Sequence, residues 1–253
     1  MNSYKITYTL IGLNVAVFLL QSLLATPSGA DVLAYYGGLW PTTAPFFHVW
    51  QPFTYMFLHG SFTHLLFNMF SLWMFGRLIE QNMGTRRFLT YYLVCGLGAA
   101  VCQIVWQLFT REMVPTVGAS GAIYGILLAF GMFYPNERIM LLFPPIPLKA
   151  KYFIALFIVI EILFGVGNFD NTAHFAHLGG MFFGFLVIRY WQAAARRPRR
   201  QKKYENWHTA DYDYNLEKRR RQERIDALLD KVRTSGYDAL TEQEKRDLFD
   251  FTR

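Results

Sequence analysis

An all-α, polytopic membrane protein with a small helical tail is what this sequence predicts, and three observations predict it. The 253 residues are 53% hydrophobic and 18% aromatic, with only 17% charged. Most of that charge follows Ala195, a segregation that a soluble domain does not show. Before that point the apolar residues gather in runs of roughly 17–25, the length that crosses a bilayer core. Six spans are expected, at about 7–24, 55–78, 88–109, 117–134, 149–165 and 172–193. The domain organisation expected is a membrane-embedded unit over 1–195, a basic and polar linker over 196–214, and a helical appendage over 215–253.

The first segment follows Lys5, and no small-residue cleavage site follows its apolar stretch. It is expected to stay as a membrane helix and not to be removed as a signal. The next loop, Ala25 to Tyr55, has no Lys or Arg but carries Trp40 and Trp50, as an interfacial aromatic belt does. Arg77, Arg86 and Arg87 lie between segments two and three, and Arg138, Lys149 and Lys151 between four and five. Arg196, Arg197, Arg199, Arg200, Lys202 and Lys203 follow segment six. Basic loops stay on the cytoplasmic side, so both termini are expected inside, with segments two, four and six running inward together. The net charge of +7 reflects this bias and contact with anionic lipid; nucleic acid is not expected as a partner. Cys95 and Cys102, seven apart in segment three, share a helix face, where a bridge is geometrically unreasonable. Buried free thiols are expected.

Polar residues within spans are costly and face the bundle interior. Segment two carries His59, His64 and Asn68 in "HGSFTHLLFN"; segment four carries Ser120 in "VGASGAIYG"; segment six carries His174 and His177 in "HFAHLGG". All sit near the N-terminal ends of three helices that run the same way, so they fall at one depth. His64 and Asn68, at i and i+4, share a face. Ser120 opens its helix, where backbone N–H groups are free and the dipole favours negative charge. A hydroxyl nucleophile needs a base within reach and donors aimed at an oxyanion, and this set can supply each. Gly121 with Gly125, and Gly180 with Gly184, form small-residue faces that let two helices approach closely. Gly118 leaves the backbone before Ser120 unhindered. Alone, a serine at a helix start is more often a cap; the convergence of three helices favours chemistry.

The same residues carry a resemblance. "GASGAIYG", "HGSFTHLLFN" and "AHLGGMFFG" resemble, in order, motifs of the rhomboid intramembrane serine proteases, over about residues 1–195. The resemblance implies a six-helix rhomboid-like bundle, with Ser120 as nucleophile and His177 as general base. It implies an oxyanion hole of His64, Asn68 and the Ser120 N–H, and Tyr124 packed on the His177 ring. Some relatives have a Trp-Arg pair in the first outer loop; this loop has no arginine. His59 is expected to bond loop backbone, and His174 is the rival to His177 as base. Glu161, mid-segment in "IVIEILFG", is expected to be neutral or hydrogen-bonded inside the bundle, with an influence on opening of segment five as the other reading.

There is no His-Glu-x-x-His motif and no embedded aspartate pair, which argues against intramembrane metal and aspartyl mechanisms. A transporter can use embedded His and Glu but leaves Ser120 and the glycines unexplained. The expected function is therefore a serine endopeptidase of a bacterial inner membrane, without metal or cofactor. The resemblance implies membrane-protein substrates with a transmembrane helix, and the lipid bilayer is the other expected partner. The alternative is an inactive rhomboid-like protein that binds membrane clients. The loop 165–173, with Gly165 and Gly167, is expected to act as a movable lid, with segment five moving to admit substrate. In the tail, Ile225, Leu228, Leu229 and Val232 recur at helical spacing. Ser235-Gly236 is expected to stop that helix, and Thr241 with Glu244 to open a second through a capping box.

Overall fold

The structure is a computed structural model that describes residues 4–26, 29–140, 146–167, 173–196 and 208–251. It forms two compact units, Met1–Arg196 and Arg197–Arg253. The first unit opens with α1 (Lys5–Leu24), then two short helices in the loop that follows it, α2 (Val32–Gly37) and α3 (Gln51–Thr54). Segment two, expected as one span from 55, is broken. A three-ten turn (Tyr55–Phe57) ends in extended backbone, and α4 (Phe62–Ser71) starts only after Ser61, whose side chain accepts from the His64 N–H. A π turn (Leu72–Gly76) then carries the chain without a stop into α5 (Arg77–Met83). The remaining spans are α6 (Thr85–Thr110), α7 (Ser120–Phe133), α8 (Ala150–Gly167) and α9 (His174–Arg196). A two-stranded antiparallel hairpin, β1 (Arg138–Met140) with β2 (Pro147–Lys149), joins α7 to α8.

Among the described helices, α1, α6 and α8 are long and apolar enough by themselves to cross a membrane. The chain is an all-α polytopic membrane protein, and its core is built around α6, α7 and α9. Tyr91, Tyr92, Cys95 and Ala99 of α6 are fully buried, as are Ile126 and Ala129 of α7. Cys102 is only half-buried, so of the two free thiols Cys95 alone matches the expectation.

The length of α7 positions the site. Its 14 residues rise about 21 Å, against a hydrocarbon core of about 30 Å. A helix this short leaves irregular backbone to make up the rest of the crossing. Such backbone survives at membrane depth only where protein or a wet cavity surrounds it. Here Thr116 and Leu39 exchange two backbone hydrogen bonds of 2.9 Å, and the Gly118 N–H donates to the Tyr55 carbonyl at 2.9 Å. The loop that supplies Leu39 is tied down without an arginine. Gln51, fully buried, donates to the Phe46 and Tyr36 carbonyls and accepts from the Trp40 N–H.

At the other end, the buried carboxylate of Glu80 accepts from the Ile6 and Thr7 backbone N–H groups and the Thr7 hydroxyl at 2.7–3.0 Å. A carboxylate at a helix N-terminus meets free donors and the positive dipole end, so α5 anchors α1. No sequence expectation covered this contact.

In the second unit, α10 (His208–Ser235) starts seven residues before the expected start of the appendage at 215, and residues 197–207 of the expected linker lie outside the described residues. Gly236, at φ +83°, ends α10; a three-ten turn (Tyr237–Ala239) and α11 (Glu242–Phe251) follow. Ile225, Leu228 and Leu240 are buried, whereas Leu229 is exposed because it falls one residue past the inward face. The Thr241 N–H and then Lys231 hold the Glu244 carboxyl down to about 2, so the reciprocal Thr241–Glu244 cap stays ionised at neutral pH.

Candidate active site

Ser120 is the first residue of α7, and no side chain caps that helix. Its hydroxyl is turned away from a capping role and lies 2.8 Å from His177 Nε2. Two close packings produce this contact. Gly180 of α9 rests on the backbone of Gly121, where a Cβ would collide with the Gly121 carbonyl. Gly121 in turn leaves no room for a Cβ beside Ala99 of α6. The two helices therefore approach backbone to backbone, close enough for a short hydroxyl to reach an imidazole across the seam. Gly184, expected on the same seam, packs instead against Tyr91 and Cys95 of α6.

Gly118 is held at φ +134°, and a Cβ there would sit 2.8 Å from the His64 ring. Both the backbone angle and the space demand glycine. His64 thus stands across Gly118 from Ser120. The two share a cavity of about 650 Å³ whose walls include His174, His177, Gln103 and Trp106. Gln103, on α6, was not anticipated from the sequence. Its Oε1 is buried without a hydrogen-bond partner among the described residues; a lone amide in an apolar run was the only available sign. Asn68 does not line the cavity. It lies one turn further along α4, buried, and its Nδ2 has no partner among the described residues.

The His177 ring is fixed on two sides. Tyr124 stacks on it with centroids 4.1 Å apart and planes 4° apart. Its Nδ1 lies 2.9 Å from Glu161 Oε2, and His174 Nδ1 lies 2.6 Å from the same oxygen. The Tyr124 hydroxyl donates to the other oxygen, Glu161 Oε1. His174 therefore faces the carboxylate of α8, and His177 faces Ser120. The polar atoms of Glu161, His174 and His177 lie within 4.8 Å of one another, and the 2.6 and 2.9 Å separations are those of proton-bridged contacts, shorter than the spacing of two ligands about one ion.

The Phe57 backbone acts on the His59 ring, in line with the expected bond to loop backbone, but at a geometry too poor for a full hydrogen bond. Both ring nitrogens are buried without a hydrogen-bond partner among the described residues. The ring packs edge-on to His64 at 5.1 Å, while the His59 backbone exchanges two hydrogen bonds with the Gln21 side chain. The expected lid is also revised. Gly165 and Gly167 belong to α8, and residues 168–172 lie outside the described residues.

The site can be set beside known proteins. The family model described as Rhomboid domain matches residues 47–192. Residues 208–253 match a family of unknown function (DUF6576). The chain is 29% identical to the rhomboid protease GluP of Bacillus subtilis, over 75% of this chain and 36% of that protein. It is 33% identical to RHOMBOID-like protein 2 of Arabidopsis thaliana, over 61% of this chain and 48% of that one. It is 29% identical to the mitochondrial rhomboid protein 1 of Saccharomyces cerevisiae, over 78% of this chain and 56% of that one. The matches thus span from about a third to just over half the length of these relatives.

Proposed function

The chain belongs to the rhomboid family, and we propose that it works as an intramembrane serine endopeptidase with Ser120 as nucleophile and His177 as base. The observation that carries this reading is the 2.8 Å contact between Ser120 Oγ and His177 Nε2, opening on the cavity. A general base needs that reach to the proton it removes.

In the proposed reaction, Ser120 Oγ bonds to the scissile carbonyl carbon as its proton passes to His177 Nε2. The carbonyl oxygen becomes an oxyanion. In this reading the Ser120 N–H, at the head of α7, and His64 on the cavity wall face it, and Asn68, one turn further along α4, joins them by turning its amide toward the cavity. The unpaired, buried Nδ2 of Asn68 fits this role, since an unsatisfied donor costs about 1–3 kcal/mol and gains its acceptor only when the oxyanion forms. As the C–N bond breaks, Nε2 gives its proton to the leaving amine. Water, deprotonated by Nε2, then attacks the ester, and Oγ leaves with that proton.

The substrates in this reading are membrane proteins with a transmembrane helix, cut near the outer face, where such a helix unwinds. The basic loops support a bacterial inner-membrane enzyme with both termini cytoplasmic. The 1–195 unit carries the chemistry, with the tail as an appendage.

Ser120→Ala and His177→Ala, reconstituted in liposomes with a single-pass substrate, are each expected to lose cleavage while keeping helicity. A fluorophosphonate probe is expected to label the unsubstituted protein at Ser120. Turnover retained by Ser120→Ala removes the serine mechanism, and an unlabelled, non-cleaving protein points to a client-binding rhomboid relative.

A further inference from the structure

Glu161 sits mid-way along α8 and is 4% exposed. Most of its neighbours on that helix are apolar and exposed, among them Val159, Ile162 and Leu163. One carboxylate in such a helix is costly to bury. Every donor around it comes from the helices of the proposed dyad: Tyr124 on α7, and His174 and His177 on α9. The contacts run in one line, from Glu161 Oε2 to His177 Nδ1 at 2.9 Å and from His177 Nε2 to Ser120 Oγ at 2.8 Å.

We propose that Glu161 is the positioning residue of the site and completes a Ser120–His177–Glu161 triad. The inference rests on the serine-protease reading above. A neutral imidazole carries its proton on one nitrogen only. If that proton is on Nε2, the ring cannot accept from Ser120. An ionised carboxylate accepts and never donates, so Glu161 draws the proton to Nδ1 and leaves the Nε2 lone pair facing the hydroxyl. Tyr124 fixes the plane of the ring, and Glu161 fixes its rotation within that plane. When Nε2 takes the serine proton, the ring becomes a cation and the carboxylate beside it stabilises that charge. His174 and Tyr124 hydrogen-bond the same carboxylate, so neither of its oxygens is left unpaired in apolar surroundings.

A carboxylate that only clips α8 to its neighbours predicts something different: lower stability and weaker substrate binding, with the chemical step intact. The test uses the full chain in liposomes with a single-pass transmembrane substrate, and compares Glu161→Gln and Glu161→Asp. Glu161→Gln keeps the shape and removes the charge. Its kcat is expected to fall by on the order of 10²–10⁴, with KM within about threefold, and Glu161→Asp is expected to recover part of the loss. In parallel, nitrogen NMR of histidine-labelled protein reads the tautomer of His177, assigned by difference against His177→Gln. The Nδ1–H form is expected in the unsubstituted protein, and a mixture in Glu161→Gln. A wild-type kcat in Glu161→Gln overturns the proposal and leaves the dyad standing. An Nε2–H tautomer in the unsubstituted protein also overturns it, including the case in which Glu161→Gln fails to fold. If Ser120→Ala still cleaves, the serine reading falls, while the tautomer still decides whether Glu161 holds His177.

Discussion

The seam between α7 and α9 and the seat of α8 hold the same site by opposite means. At the seam, Gly121 and Gly180 touch through their backbones, and α7 is buried along most of its length, from Gly121 to Phe130. On α8 the buried residues are few: Ala150, Phe153 and Ile154 at one end, then Glu161 and Gly165. Close-packed backbone without side chains between has no slack, so the distance from Ser120 to His177 is set by geometry alone. A carboxylate reaching out from a lipid-facing helix holds by hydrogen bonds, which break and re-form as the helix shifts. Ser120 and His177, the proposed nucleophile and base, are thus held across the close-packed seam, and Glu161 comes from the less buried α8.

The sharpest way to break this contrast is at the seam. Gly180→Val puts two methyl groups against the Gly121 carbonyl, and overpacking of this kind costs about 1–3 kcal/mol or more. Turnover is expected to vanish, with a lower melting temperature. Val159→Ala, on the lipid face of α8, is expected to leave both nearly unchanged. Equal effects from the two substitutions contradict the contrast.

A smaller loss is expected where the site depends on donors and not on packing. His64→Ala and Asn68→Ala are each expected to lower kcat by on the order of 10²–10³, with KM little altered; the Ser120 N–H keeps residual activity. An unchanged rate in both takes them out of the proposed oxyanion hole. Smaller again is the effect of restraint. A disulfide between α8 and α4, in a Cys95- and Cys102-free background, is expected to slow cleavage of a transmembrane substrate several-fold. It should spare labelling by a small fluorophosphonate, and reduction should restore the rate. Full-rate cleavage by the cross-linked protein means that α8 does not move to admit substrate.

The smallest effect is expected at His174. Its Nδ1 bonds Glu161 and not Ser120, so His174→Ala removes one of three donors from the carboxylate. Measurable turnover should persist with reduced thermal stability. Complete loss, matched by survival in His177→Ala, shows that the bases are exchanged.

Much of the bundle is legible in the chain because hydrocarbon imposes a simple rule: about twenty apolar residues, charges outside. Segments one, three, five and six lie within a few residues of α1, α6, α8 and α9. Segment two was not readable to the same degree, because "QPFTYMFLHGS" is as apolar as the helix it precedes. The break comes from the Ser61 cap and from the loop packed against Tyr55. The polar set was legible by the same rule, since each embedded Ser, His or Asn stands out against Leu and Phe. Gly118 could be singled out, but the reason it must be glycine, the His64 ring across from it, is a contact between residues 54 positions apart.

By itself, then, the sequence determined the membrane class, the approximate bounds of most spans, and the helix ends where the unusual polar groups gather. These follow from composition and spacing, which act locally along the chain. Only the tertiary structure decided which histidine meets Ser120, and that Glu161 takes its donors from both. His174 and His177 are three residues apart on one helix, and spacing alone treats them nearly alike. What separates them is the rotation of α9 fixed by Gly180 against Gly121, together with the depth at which α8 presents its one carboxylate. Both are properties of how three helices pack, and no single segment contains them.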